Sequence, residues 1–167
     1  MIKIIGANGI ISNVDNFLKE IEIFAKNKNL VIQVFDADMI YSKNHLISAY
    51  DHAVRSINRK KNSTNSLEKE ILLYASGERQ LKIAIPKMGI KKGKSNIAFI
   101  FINNQMSDKT IKDFLKFFSL SRNDDVLIGD INTLKKFGIT KNEIETVTKE
   151  KFESLILEKV ALVDIIK

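Results

Sequence analysis

Asn96-Ile97-Ala98-Phe99-Ile100-Phe101-Ile102-Asn103 is apolar at every position between its two asparagines. That is the pattern of a strand at the centre of a sheet, covered on both faces or held at a tight packing site. Immediately upstream, Gly89-Ile90-Lys91-Lys92-Gly93 reads as a turn, and Leu81, Ala84, Ile85 and Met88 mark a short helix with Pro86 near its end. Before that, Leu67, Ile71, Tyr74 and Ala75 line one face of another short helix. It stops at Gly77, a residue suited to a left-handed C-terminal cap. Asn62-Ser63-Thr64-Asn65-Ser66 is a polar turn, expected to be the most mobile segment.

Further back, Ser42 caps a helix whose Leu46, Ala49, Tyr50, Ala53, Val54 and Ile57 form a continuous inward stripe. Its other side carries Asp51, Arg55, Asn58 and Arg59 and runs out into Lys60-Lys61. Cations in a last turn suit the helix macrodipole, each contributing about 0.3–1 kcal/mol at low salt. Leu30-Val31-Ile32-Gln33-Val34-Phe35 is a second strand, followed by the acidic turn Asp36-Ala37-Asp38.

Working outward to the ends, Met1 to Gly6 reads as a short strand punctuated by Gly6-Ala7-Asn8-Gly9. Ser12 or Asn13 caps an amphipathic helix in which Phe17, Leu18, Ile21, Ile23, Phe24 and Ala25 mostly recur at helical spacing, ending near Asn27–Asn29. Downstream, Ser107 or Asp108 caps a helix with Ile111, Phe114, Leu115, Phe117 and Phe118, and Val126-Leu127-Ile128 reads as a short strand. Thr140 with Glu143 forms a capping box. Lys149–Lys167 is apolar nearly all round, through Phe152, Leu155, Ile156, Leu157, Val160, Ala161, Leu162 and Val163. Such a helix is either a core element, here followed by a short strand at Asp164–Ile166, or one that a partner covers. The expected architecture is α+β: one domain over residues 1–167, helices packed on a mixed β-sheet in two layers.

At 167 residues, 44% hydrophobic and 28% charged, the chain is long enough for one folded core. Its 27 basic and 20 acidic residues give a net charge of +7, which permits an anionic partner. A lysine-rich compositional bias accounts for the same number. With no cysteine, disulfides, zinc–thiolate sites and thiol catalysis are excluded. The first residues lack the run and flanks of a signal peptide, and nothing approaches a membrane span, so a cytoplasmic protein is expected.

Catalytic chemistry is poorly supplied. His45 and His52 fall seven apart, about 10.5 Å along a helix, too far to share a metal comfortably. Asp36 and Asp38 could hold a magnesium ion, although Asp-x-Asp at a strand end is more often a turn or helix-capping pair. Gly6-Ala7-Asn8-Gly9 fits the Gly-x-x-Gly of an RNA-clamping loop only weakly, since it follows a strand. Basic clusters are better represented. They comprise Arg55, Arg59, Lys60 and Lys61 at one helix end, Arg79 and Lys82 at the next helix start, and Lys87, Lys91, Lys92 and Lys94 around the following turn. Lysine clusters are commonly no more than solvated surface. Guanidinium groups beside apolar faces suit phosphate, and Tyr74 and Asn58 would serve to stack and hydrogen-bond an unpaired base.

Asp36-Ala37-Asp38-Met39-Ile40, His45-Leu46 with Ala49 and His52-Ala53, Glu70-Ile71-Leu72-Leu73-Tyr74, Ser76-Gly77-Glu78-Arg79-Gln80 with Ala84-Ile85, Gly89-Ile90-Lys91 and Leu157-Glu158-Lys159-Val160-Ala161-Leu162 together span nearly the whole chain. In order and spacing they resemble the small regulatory subunit of the KEOPS complex, the archaeal and eukaryotic relatives of the PRPK-binding protein TPRKB. The resemblance implies a non-catalytic subunit without cofactor or metal. It would bind the complex's atypical small kinase/ATPase and capture the single-stranded CCA end of tRNA, in support of threonylcarbamoyladenosine formation.

Residue by residue, the reading is our own inference. Arg55, Asn58, Arg59, Lys60, Lys61, Tyr74, Arg79 and Lys82 are the candidate tRNA contacts. Leu155, Ile156, Val160 and Leu162 include the kinase-facing positions. Two alternatives stand beside it: a nucleotide- and metal-dependent enzyme using Asp36 and Asp38, and a free-standing RNA-binding module.

Overall fold

A computed structural model describes residues 1–167. The central strand is where the apolar run places it. β3 (Gly93–Ile102) pairs along its whole length with β1 (Ile2–Ile11), from Ile2 opposite Ile102 to Ile11 opposite Gly93. On its other side it pairs with β2 (Val31–Asp36), Val31 opposite Ile102. A two-residue β4 (Ser121–Arg122) closes the order β2-β3-β1-β4. Every pairing is antiparallel, so the α+β class holds while the sheet is not mixed.

Strand alternation sends side chains to two separate cores. Ile97, Phe99 and Phe101 point to a core closed by α1 (Val14–Asn27) and α5 (Asp108–Phe117). There Phe114 meets Phe99 and Phe101 edge-on, with ring centroids 5.0 Å apart in each pair. Ala98 and Ile100 point to the larger core, built with α2 (Lys43–Asn58), α3 (Leu67–Ser76), α4 (Leu81–Met88), α6 (Ile131–Phe137) and α8 (Phe152–Ile166). The molecule therefore has three layers, helix–sheet–helix, rather than two. A strand apolar at every position requires a cover on each face, which explains the extra layer.

Helix starts follow the expected caps. Asn13, Ser42 and Ser107 each accept the backbone N–H three residues on, and Thr140 with Glu143 forms the reciprocal box that opens α7 (Lys141–Glu145). α3 ends at Gly77 with φ 70°, where a side chain would strain the backbone. From Glu70 to Ser76 every residue of α3 is buried, because it packs against α2, α4, α8 and β2 at once.

Three local expectations change. β1 does not stop at Gly6 but continues through Gly9 to Ile11. A Cβ on Gly6 would lie 2.4 Å from the Asn123 carbonyl oxygen and 2.5 Å from Val126. The missing side chain thus admits the 121–127 segment against the strand, and Gly6 marks a close approach instead of a turn. No RNA-clamping loop exists there. Val126-Leu127-Ile128 is not a strand; Asp124–Leu127 forms a 3-10 turn capped by Asn123. Asp164–Ile166 is likewise no strand but the last turn of α8.

Candidate functional site

α2 and α3 form an antiparallel hairpin. His45, near the start of α2, meets Ala75 at the end of α3, while Ser56, near the end of α2, meets Glu70 at the start of α3. The reversal after α2 is made by Lys60 at φ 56°, with Lys60 N–H on the Ile57 carbonyl and Lys61 N–H on that of Ser56. This closure satisfies the last carbonyls and throws Arg59, Lys60 and Lys61 outward beside Arg55. All four are exposed, Asn58 with them, and none enters an ion pair. Four unpaired cations around a helix C-terminus form a concentrated positive field.

Beneath them lies a cleft of about 150 Å³, walled by Arg55, Arg59, Lys61 and Ser63 and floored by Ser56, Tyr74, Asp164 and Lys167. Its base is a polar network. Glu70, wholly buried, accepts bonds from Ser63 N–H (3.2 Å), Thr64 N–H (3.0 Å), Thr64 Oγ1 (2.8 Å) and Ser56 Oγ (3.2 Å), and from the Lys167 ammonium. Burial alone would raise the Glu70 carboxyl, but Lys167 and Thr64 bring it below the ordinary range. Lys167 also reaches Ser56 Oγ at 2.6 Å and the Tyr74 hydroxyl at 3.1 Å; its pKa is raised, because these bonds and the Glu70 charge outweigh burial.

Tyr74 is not a base-stacking platform. It is fully buried, its ring stacked on His52 with centroids 5.4 Å apart and covered by the Lys167 ammonium at 4.7 Å. Its hydroxyl donates to Asp164. A tyrosine on the inner stripe of a short helix is read as core by its spacing, and the structure obeys the spacing.

Arg79 and Lys82 are exposed and unpaired, but they sit at the opposite end of α3. Ten helical residues separate the two ends by about 15 Å. They do not join Arg55, Arg59, Lys60 and Lys61 in one patch. Lys87 is occupied elsewhere, donating to the Ser76 carbonyl (2.7 Å) and Glu78 (3.1 Å) and lying 4.0 Å over Phe137.

On α8 the kinase-facing expectation needs correction in three of its four residues. Leu155, Ile156 and Val160 are core, packed with α2, α3 and α6. Leu162 is 36% exposed, and the sequence reading missed its neighbours Ile165 (76%) and Ile166 (43%). The excess of apolar residues on α8 was the signal. Which of them face outward depends on the helix's rotation, which the pattern of a helix apolar all round does not reveal.

Two residues essential to the cleft were also missed. Glu70 lies between Leu67 and Tyr74 on the inner stripe of α3, and a carboxylate in a buried register requires a cation or several donors. That requirement was readable from the sequence. Its partner, Lys167, lies 97 positions away and was not.

The histidines and the Asp36/Asp38 pair have structural partners. Tyr41 N–H donates to His45 Nδ1 (3.2 Å), which places the ring proton on Nε2, donated to the Ala75 carbonyl (2.8 Å). Burial holds this imidazole's pKa down at about 4. Asp36 caps the 3-10 turn Ala37–Met39 by accepting Asp38 N–H (3.0 Å), and Asp38 accepts from Asn96 (3.2 Å). No group of three or more His, Cys, Asp or Glu side chains comes together to hold a metal ion. No helix is long and apolar enough to cross a membrane.

A family model described as "Kinase binding protein CGI-121" matches residues 11–164. The chain is also similar to the regulatory protein Cgi121 of Methanocaldococcus jannaschii, 29% identical over 158 residues that cover 87% of this chain and 90% of the relative.

Proposed function

Because the chain belongs to the CGI-121 family of kinase binding proteins, we propose that it is the non-catalytic regulatory subunit of a KEOPS complex. In this reading the exposed apolar end of α8 seats the small kinase/ATPase, and the basic end of α2 receives the single-stranded CCA end of tRNA. The subunit thereby supports threonylcarbamoyladenosine formation without a reaction of its own.

The observation that carries the nucleic-acid half is the set of four unpaired cations on one helix end, three of which, Arg55, Arg59 and Lys61, wall the cleft. Backbone phosphates are neutralised by such groups without reading sequence, which suits a terminus shared by every tRNA. The kinase half is supported by the family description and by the exposure of Leu162, Ile165 and Ile166 on a helix whose Leu155, Ile156, Val160 and Val163 are core.

A pull-down from extract of the source cells, followed by binding of the purified chain to a CCA-ended RNA oligonucleotide, tests both halves. Recovery of a kinase together with salt-dependent RNA binding is expected. RNA binding without any kinase would favour a free-standing RNA module, and nucleotide turnover by the purified chain alone would overturn the non-catalytic assignment.

A further inference from the structure

The polar segment Asn62–Ser66 has the composition of a mobile turn, yet the structure pins it from below. Ser63 N–H, Thr64 N–H and the Thr64 hydroxyl all converge on the carboxylate of Glu70. No other side chain holds those two amides, since each bonds only Glu70. The segment supplies Ser63 to the cleft wall, and Lys61, also in that wall, stands between it and the left-handed turn at Lys60.

We infer that Glu70 is a positioning residue for anion binding: it builds the wall of the cleft that it never lines. This rests on the nucleic-acid half of the proposed function. A carboxylate placed under a phosphate site would ordinarily weaken it by repulsion. Here the negative charge is neutralised by the Lys167 ammonium and held by four further donors, so its field is contained while its lone pairs do the holding. The contribution at the surface is geometric. With Glu70 removed, the amides of Ser63 and Thr64 turn to water, and only the Lys61 N–H bond to the Ser56 carbonyl is left to hold Lys61 facing Arg55 and Arg59. Lys167 would also lose its counter-charge at the floor.

The test uses the full chain with a CCA-ended single-stranded RNA. Glu70→Ala is expected to lower affinity about tenfold and to flatten the slope of log K against log salt by about 0.7, the loss of one phosphate contact on a single strand. Glu70→Gln keeps the volume and one acceptor, so it is expected to fall between; should the alanine variant not fold, the glutamine variant is read in its place. Ile111→Ala, in the core on the far side of the sheet, supplies a comparable loss of stability and is expected to leave affinity unchanged. A second readout needs no RNA: the Ser63 and Thr64 amides are expected to be protected from hydrogen exchange in the wild type by their bonds to Glu70 and to exchange freely in Glu70→Ala. Wild-type affinity in Glu70→Ala, or an equal loss in Ile111→Ala, overturns the inference. Failure of the wild-type chain to bind RNA brings down the nucleic-acid half of the proposed function and this inference with it. Unaltered exchange at Ser63 and Thr64 in Glu70→Ala overturns the inference alone.

Discussion

His52 Nδ1 lies 2.7 Å from Asp164 Oδ2, joining the middle of α2 to the last turn of α8. The other oxygen of Asp164 accepts from the Tyr74 hydroxyl, so one carboxylate ties three helices together. Burial would raise the Asp164 carboxyl, but the Tyr74 and His52 bonds take it below its ordinary range. Asp164→Ala leaves the buried tyrosine hydroxyl without its acceptor. Because the carboxylate is itself partly in water, the expected loss is modest, about 1 kcal/mol by urea denaturation. The same variant should raise hydrogen exchange at the end of α8 before it changes that of β3.

His45 gives the fold a specific acid sensitivity. Its native pKa of about 4 lies below the ordinary histidine value of 6.5, so the native state holds the neutral ring. Between those two values the unfolded chain binds a proton that the native chain does not, and stability falls as pH falls. The full contribution is present above pH 6.5 and is lost progressively down to about pH 4, in total about 3 kcal/mol. Urea midpoints measured from pH 7.5 to 4.5 should show this decline. His45→Gln should be less stable at pH 7.5 and show a flatter profile; an unchanged profile would assign the acid sensitivity to other groups.

Local structure was legible where one residue's chemistry decides it. Asn13, Ser42, Ser107 and Thr140 cap because a short polar side chain satisfies a free N–H, whatever lies elsewhere in the chain. The covered central strand was legible from Ile97–Ile102 for a similar reason. What stayed hidden depends on distant contacts. Gly6 looked like a turn because the 121–127 segment that needs its bare backbone arrives more than a hundred residues later. The distance between Arg55 and Arg79 was hidden too, because an antiparallel hairpin sets them at opposite ends of α3. The cleft itself rests on Glu70 meeting Lys167, a pairing that no local pattern announces.

Separation of the two basic regions makes a quantitative prediction. Arg55→Glu should weaken RNA binding strongly and reduce its salt dependence, since it reverses a charge on the cleft wall. Arg79→Glu, roughly 15 Å away along α3, acts on any RNA contact independently. Groups that far apart with no shared partner are additive. The double variant should therefore show the product of the two single effects across a salt titration. An effect in the double no greater than in Arg55→Glu alone would remove Arg79 and Lys82 from the binding surface.

The proposed kinase surface can be separated from the core by rotating a charge around α8. Val160→Glu buries an unpaired carboxylate in the larger core, and the product should be unfolded or aggregated. Ile165→Glu lies 76% in water and should change stability by no more than about 0.5 kcal/mol. If Leu162, Ile165 and Ile166 are the seat of the kinase, Ile165→Glu remains a folded monomer that no longer co-elutes with it, and Leu162→Glu behaves alike. A partner covering those side chains gains about 25 cal/mol per Å² of apolar surface removed from water, and a carboxylate at the centre of the patch forfeits that gain while adding a desolvation cost. Ile23→Glu, on the exposed side of α1 across the sheet, is the matched control and should leave co-elution intact. Retention of the kinase by both Leu162→Glu and Ile165→Glu would move the partner surface off this helix.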